Sequence, residues 1–297
     1  MAEVFTEAVV TVSAVPHVEL FTAQWPGPAD RALLVIHGGP DWDHSYLREP
    51  LSRLRGRYHL VMPDLRGCGR STTGLGDDQY VPDAAVADLV ALLGVLGLGS
   101  VDVLGFSYGG LLAQRLAIAI PGRVRRLIIA SSSIYPVPSN AWDGWADRAA
   151  RMAASAQVWS DPSLSGADLV RAAAVAQAGA DVWRAEKLPG YLSRLAAVRF
   201  TGEWLRPWRA GILPEAQPAR SEAVLGSLGI PLLLLHGAHD MTFPASLALR
   251  AAARLPSARA VIIDNAGHMA HVDQPESWLA ALTDFLDSSR DVAPSRS

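Results

Sequence analysis

Short apolar runs of about five residues recur toward both ends of the chain, and stretches of helical spacing separate them. Ala32–Ile36, Tyr58–Met62, Val101–Phe106 and Arg126–Ala130 form one series, and Pro231–Leu235 and Arg259–Ile263 a second. Nearly continuous apolar runs, as opposed to alternating ones, mark strands covered on both faces. Helical spacing appears near Leu47–Leu54 and over Pro82–Leu96, Tyr108–Ala119, Pro244–Leu255 and Glu276–Leu286. This alternation predicts an α/β fold: a mostly parallel sheet with helices on both faces. Val9–Ala14 and His17–Ala23 alternate residue by residue across a proline, so they read as an early strand pair.

From Pro136 to Leu225 the alternation stops. This stretch offers no good strand and reads as alanine-rich helices broken by Pro162, Pro189, Pro207, Pro214 and Pro218. It also holds Trp142, Trp145, Trp159, Trp183, Trp204 and Trp208, six of the nine tryptophans, which suits an apolar wall over a pocket. The expected organisation is a core made of residues 1–135 and 226–297, with residues 136–225 inserted as a helical lid. The tail after Asp287 reads as frayed.

Composition narrows the function classes. Half of the 297 residues are hydrophobic and 19% are charged, enough for a large buried core. The net charge of −3, without a basic stripe, disfavours a nucleic-acid partner. Cys68 is the single cysteine, which excludes an internal disulfide and a multi-cysteine metal site; neither metal nor cofactor is expected. Met1 to Thr11 is polar and unlike a signal peptide, and no apolar run spans a bilayer. The expectation is a cytoplasmic protein without a membrane partner, acting on a small molecule or peptide.

Gly105-Phe106-Ser107-Tyr108-Gly109 follows an apolar strand and opens a helix. That is the context of a G-x-S-x-G elbow, where a sharp turn exposes the serine oxygen as a nucleophile. Small residues are required two places before and after the serine, because larger side chains would collide across the turn. His37-Gly38-Gly39-Pro40 follows another strand, and there a glycine-rich turn lends a backbone N–H to an oxyanion hole. Gly39 and Tyr108 are the expected donors. His37, which the turn points away from the pocket, reads as a structural hydrogen-bonder.

A serine hydroxyl needs a histidine to take its proton, and the histidine an acid to fix its tautomer. Asp240, in His236-Gly237-Ala238-His239-Asp240, and His268, in Asn265-Ala266-Gly267-His268, follow two later strands. All three candidates lie at carboxyl ends of strands, so they can converge on one edge of the sheet. Asp264 reads as a turn residue, His271 as leaving the pocket, and His239 as a solvated loop residue. Asp64 and Arg66 read as structural, and Cys68 as a buried hydrophobe.

With these residues laid out, the chain resembles the proline iminopeptidase-like branch of the α/β-hydrolase superfamily. The matching pieces are His37–Pro40, Asp64–Ser71, Gly105–Gly110, His236–Asp240 and Gly267-His268. The resemblance implies the α/β-hydrolase fold and hydrolysis of an N-terminal peptide bond through an acyl-enzyme on Ser107. It also implies that acidic residues hold the substrate's amino group. Glu186 and Glu203 from the lid are the candidates, with Asp41 and Asp43 beside the glycine turn, and Trp42 is expected to line the pocket. The sequence departs from the branch in Asp41, where a further glycine is usual, and in Tyr108, where tryptophan is frequent.

Other functions share this framework. A carboxylesterase, including a tailoring hydrolase of secondary metabolism, would use the same residues without an amine site. Carbon–carbon hydrolysis of a diketone is compatible with the triad, and a receptor could retain the pocket without turnover. Haloalkane and epoxide hydrolysis use an aspartate nucleophile where Ser107 stands, and are set aside.

Overall fold

The computed structural model describes residues 5–288. Met1–Val4 and the tail beyond Ser288 lie outside them, so the reading of the tail falls there, as does part of the reading of Met1 to Thr11.

The early pair forms β1 (Thr6–Ala14) and β2 (His17–Trp25). β3 (Ala32–Ile36), the short α1 (Arg48–Leu51), β4 (His59–Pro63), α2 (Pro82–Val95) and β5 (Val101–Phe106) follow, then α3 (Tyr108–Ala119) and β6 (Val124–Ala130). Between β6 and β7 lie α4 (Arg148–Trp159), α5 (Gly166–Asp181), α6 (Leu188–Ala197), α7 (Leu205–Arg209) and α8 (Ser221–Leu228). β7 (Leu232–Gly237), α9 (Ala245–Arg254), β8 (Ala258–Ile263), α10 (Ala270–Asp273) and α11 (Pro275–Asp287) complete the order.

The strands form one sheet in the order β1-β2-β4-β3-β5-β6-β7-β8. β1 and β2 pair antiparallel, as do β2 and β4, and the remaining neighbours are parallel. Successive strand residues point to opposite faces, so a fully apolar strand requires a core on each side. Leu33, Val35, Leu233 and Leu235 enter one core with Trp278, Leu282 and Phe285 of α11. Leu34, Ile36, Leu232 and Leu234 enter the other, beneath α2, α3 and α9.

The stretch near Leu47–Leu54 is not one helix. Pro50 lacks the N–H that a helix needs, and Glu49 before it takes extended dihedrals, φ −106° and ψ 129°. Four-residue α1 therefore sits between two 3₁₀ turns.

Backbone donors of residues 199–205 end on carboxylates beside β3. Asp41 accepts from the N–H groups of Trp204 (3.0 Å) and Leu205 (2.9 Å) and from the Thr201 hydroxyl (3.0 Å). Asp43 accepts from Arg199 N–H at 3.0 Å. The Trp204 indole donates to the Arg66 carbonyl at 2.7 Å. Asp64 accepts from the His44 ring (2.6 Å) and from Arg70 N–H (3.0 Å), holding the loop after β4. Among the described residues no helix is long and apolar enough to cross a membrane.

Arg66 also makes a two-pronged ion pair with Asp88 on α2, both contacts at 2.6 Å and both side chains buried. Removing one partner of such a pair leaves a buried charge unmatched. Asp88→Ala is expected to cost about 3–5 kcal/mol in urea unfolding. A loss below ~1 kcal/mol would show that water reaches the guanidinium and the pair is dispensable.

Candidate active site

β5 ends at Phe106 and α3 begins at Tyr108, which leaves Ser107 alone to make the turn. Its backbone sits at φ 53°, ψ −120°, a left-handed strain of about 1–3 kcal/mol for a residue with a Cβ. Two bonds hold it there: Ser107 N–H donates to the Ala130 carbonyl, and Gly110 N–H to the Ser107 carbonyl, each at 2.9 Å. A Cβ on Gly105 would strike the Gly109 carbonyl, and one on Gly109 the Ile36 carbonyl. Backbone cannot yield to either, so the tight turn requires glycine at both places.

β7 and β8 run parallel to β5 and bring their following loops to the same edge. His268 Nε2 lies 3.1 Å from Ser107 Oγ. Its Nδ1 lies 3.1 and 3.0 Å from the two Asp240 oxygens. An ionised carboxylate only accepts, so Nδ1 carries the proton and Nε2 is left free to accept from the hydroxyl.

Burial of the Asp240 carboxyl would by itself raise its pKa. The His268 charge and hydrogen bonds from His236 and His268 reverse that and hold it below the usual carboxylate range. Asp240 also accepts from the N–H groups of Thr242 (2.8 Å) and Phe243 (2.9 Å), which lock its orientation. For His268 burial acts downward, but Asp240 outweighs it and raises the imidazole above its ordinary value.

Gly38 N–H is taken by the Tyr46 hydroxyl at 2.8 Å, and Gly39 next to it has φ 114°, open only to glycine without strain. Tyr108 is the first residue of α3, so its N–H has no acceptor within the helix. Both residues border a cavity of about 580 Å³ that contains Ser107 and His268. Its walls are mainly apolar: Trp42, Phe106, Val170, Trp204, Leu205 and Met269 are among them. Trp159 and Trp208 also line it, 5.7 Å apart between ring centres and partly exposed.

The proposed amine-holding acids are placed differently. Asp41 borders the cavity, but its carboxylate is occupied by the backbone of residues 204–205 and by Thr201. Asp43 is occupied by Ser45 and Arg199. Glu186 is exposed and paired with Arg184. Glu203 borders a separate surface groove and bonds Tyr80 and Gly74. None of the latter three borders the cavity that contains Ser107.

The competing residues also have settled surroundings. Asp264 is exposed in a turn. His271 is packed against Phe106 and Trp278, and burial lowers its pKa to about 3, so it stays neutral. His239 stacks on Trp183, ring centres 3.8 Å apart. His37 Nε2 accepts from Leu65 N–H at 3.0 Å, a structural bond.

Two acids had no sequence signal. Asp181, at the end of α5, lines the cavity. Asp273, fully buried, accepts from Gly267 N–H (2.8 Å) beside the candidate base and from Trp183 and Arg184 N–H (2.9 Å each). Their local sequences, a helix C-terminus and a short helix before a proline, carry no strand-end or glycine-turn context.

Comparison with known proteins gives three kinds of likeness. A family model described as alpha/beta hydrolase fold matches residues 31–275. A proline iminopeptidase of Levilactobacillus brevis is 29% identical over 88% of this chain and 89% of its own. A 2-hydroxymuconate semialdehyde hydrolase of Pseudomonas sp. (strain CF600) is 28% identical over 86% of each. A thermophilic esterase from Thermogutta terrifontis superposes with a TM-score of 0.72 at 23% identity, covering 95% of this chain and 98% of that one, a likeness of fold.

Asp273→Ala strips an acceptor from the three N–H groups it serves, of which Gly267 is buried and Trp183 and Arg184 partly so. We expect a loss of about 1–3 kcal/mol and faster amide exchange at Trp183, Arg184 and Gly267. Wild-type protection at all three amides would show that Asp273 is not their acceptor in solution.

Proposed function

We propose that this chain, which belongs to the alpha/beta hydrolase fold family, is a serine hydrolase that cleaves small acyl substrates through an acyl-enzyme on Ser107. The observation that carries the proposal is the chain of contacts from Ser107 Oγ through His268 to Asp240, opening on the apolar cavity. Ser107 Oγ attacks the acyl carbon while His268 Nε2 takes its proton. Asp240 stabilises the imidazolium, and the N–H groups of Gly39 and Tyr108 receive the oxyanion. His268 then passes its proton to the departing amine or alcohol, and activates water to release the acid. The helices between β6 and β7 serve as a lid, contributing Trp159, Trp204 and Trp208 to the wall.

The proline iminopeptidase likeness supports an N-terminal peptide bond as the scissile group. The placement of Asp41, Asp43, Glu186 and Glu203 favours a second reading, a carboxylesterase, since none offers the cavity an unoccupied carboxylate. The relative named for 2-hydroxymuconate semialdehyde acts, by that name, on a carboxylate-bearing compound. Here no lysine or arginine is among the described residues lining the cavity to hold one, which weighs against that substrate. p-Nitrophenyl esters assayed beside aminoacyl arylamides separate the two leading readings. A receptor would turn over neither.

A fluorophosphonate probe is expected to label Ser107 alone, and Ser107→Ala to abolish both labelling and turnover while keeping the fold. Labelling elsewhere, or retained activity in the alanine variant, overturns the mechanism.

The base acts only when neutral, so activity is present above the pKa of His268 and is lost as pH falls through it. Because that pKa is raised, the acid limb of kcat/KM is expected above 6.5. Asp240→Asn should lower kcat roughly 10⁴-fold, through the wrong imidazole tautomer. Asp264→Asn should leave the rate near wild type, and comparable losses from the two variants would reassign the acid.

A further inference from the structure

Asp181 ends α5 in the sequence Ala178-Gly179-Ala180-Asp181. A carboxylate at a helix C-terminus meets the negative end of the dipole, so such a residue ordinarily stays in water. Here it is 4% exposed and forms part of the wall that contains Ser107 and His268. Gln177, one turn earlier, donates to Asp181 Oδ1 at 3.0 Å, and Ser155 in turn donates to the Gln177 oxygen at 3.2 Å. The backbone is pinned as well, because Met269 N–H donates to the Asp181 carbonyl at 2.9 Å.

A carboxylate can accept about four hydrogen bonds, and Gln177 is the side-chain donor that the structure shows for this one. Asp41 is the other acidic residue among the described lining residues, and backbone donors from residues 204–205 occupy it. Burial raises the Asp181 pKa to about 6, against the opposing pull of His268 and Gln177, so the group is largely ionised at neutral pH. The cavity thus holds a desolvated negative charge with acceptor capacity to spare. The imidazole of His268 stands nearby, engaged with Asp240.

We propose that Asp181 sets the charge preference of the pocket: it accepts a hydrogen bond from an N–H or ammonium group of the substrate and turns carboxylate-bearing substrates away. This rests on the reading of the cavity beside Ser107 as the substrate pocket. A donor entering there supplies the partner that a buried carboxylate otherwise lacks. An entering carboxylate would meet Asp181 and Asp41 with no guanidinium or ammonium group on the described wall to offset them.

Benzylamine, benzyl alcohol and benzoate have similar size and differ in charge. Calorimetric titration at neutral pH is expected to show benzylamine bound roughly ten- to a hundredfold more tightly than benzoate, with benzyl alcohol between. Benzylamine should also slow fluorophosphonate labelling of Ser107, which places it in this cavity. Asp181→Asn, folded by circular dichroism, should bring the amine and the acid to similar affinity. Equal or reversed affinities in the wild type, undetectable benzylamine binding, or an undiminished gap in the folded variant would overturn the proposal. If the variant does not fold, the wild-type ratio decides. Ser107 left unlabelled would instead count against the nucleophile, while the calorimetric ratio would still report on Asp181.

Discussion

Three backbones pass within contact of one another where β5 turns into α3, and side chains there are limited to what that crowding admits. The carbonyls of Ile36 and Gly109 occupy the space that a Cβ on Gly109 or Gly105 would need. With glycine at both positions the helix starts directly beneath the strand end, and Ser107 is forced into a left-handed backbone that lifts its hydroxyl over the sheet edge. Parallel pairing of β5, β6, β7 and β8 brings the loops bearing Asp240 and His268 to that same edge. The distances of about 3 Å in the relay follow from sheet register and steric exclusion, before any electrostatic attraction is considered.

Carboxylates perform two different tasks around this edge. Asp41, Asp43 and Asp273 each gather N–H groups from residues 183–205, which leaves them little capacity for a ligand. Asp240 is likewise saturated, by two backbone donors and two histidines. Asp181 differs in having one side-chain donor and a face on the cavity. The distinction lies in hydrogen-bond occupancy, since burial is common to all five.

Hydrophobic pattern alone made the core legible. Val101–Phe106 and Tyr108–Ala119 have the predicted ends, and β7 and β8 shift by a residue or two. Ser107, Asp240 and His268, which the structure brings into contact, each follow a recognisable strand with glycine nearby. The Leu47–Leu54 stretch misled because its apolar spacing is helical, while Pro50 breaks the chain of hydrogen bonds. The acids were harder still: sequence shows that Asp41 or Glu203 is charged, but not that its oxygens are already spoken for. Asp181 and Asp273 carry no local signal because partners distant in sequence, such as Met269 for the one and Trp183 for the other, give them their surroundings.

The seam between residues 181–184 and the loop of His268 constrains how the roof over the cavity can swing. Separating it would strip acceptors from the N–H groups of Trp183, Arg184 and Met269 together and unstack Trp183 from His239. The rim formed by Trp159 and Trp208 is joined by one edge-to-face aromatic contact and is already partly open to water. Of these two edges the tryptophan rim has fewer hydrogen bonds to lose, and the Asp273 seam is the firmer. Loss of the rim contact alone would leave every hydrogen bond at the loop of His268 in place.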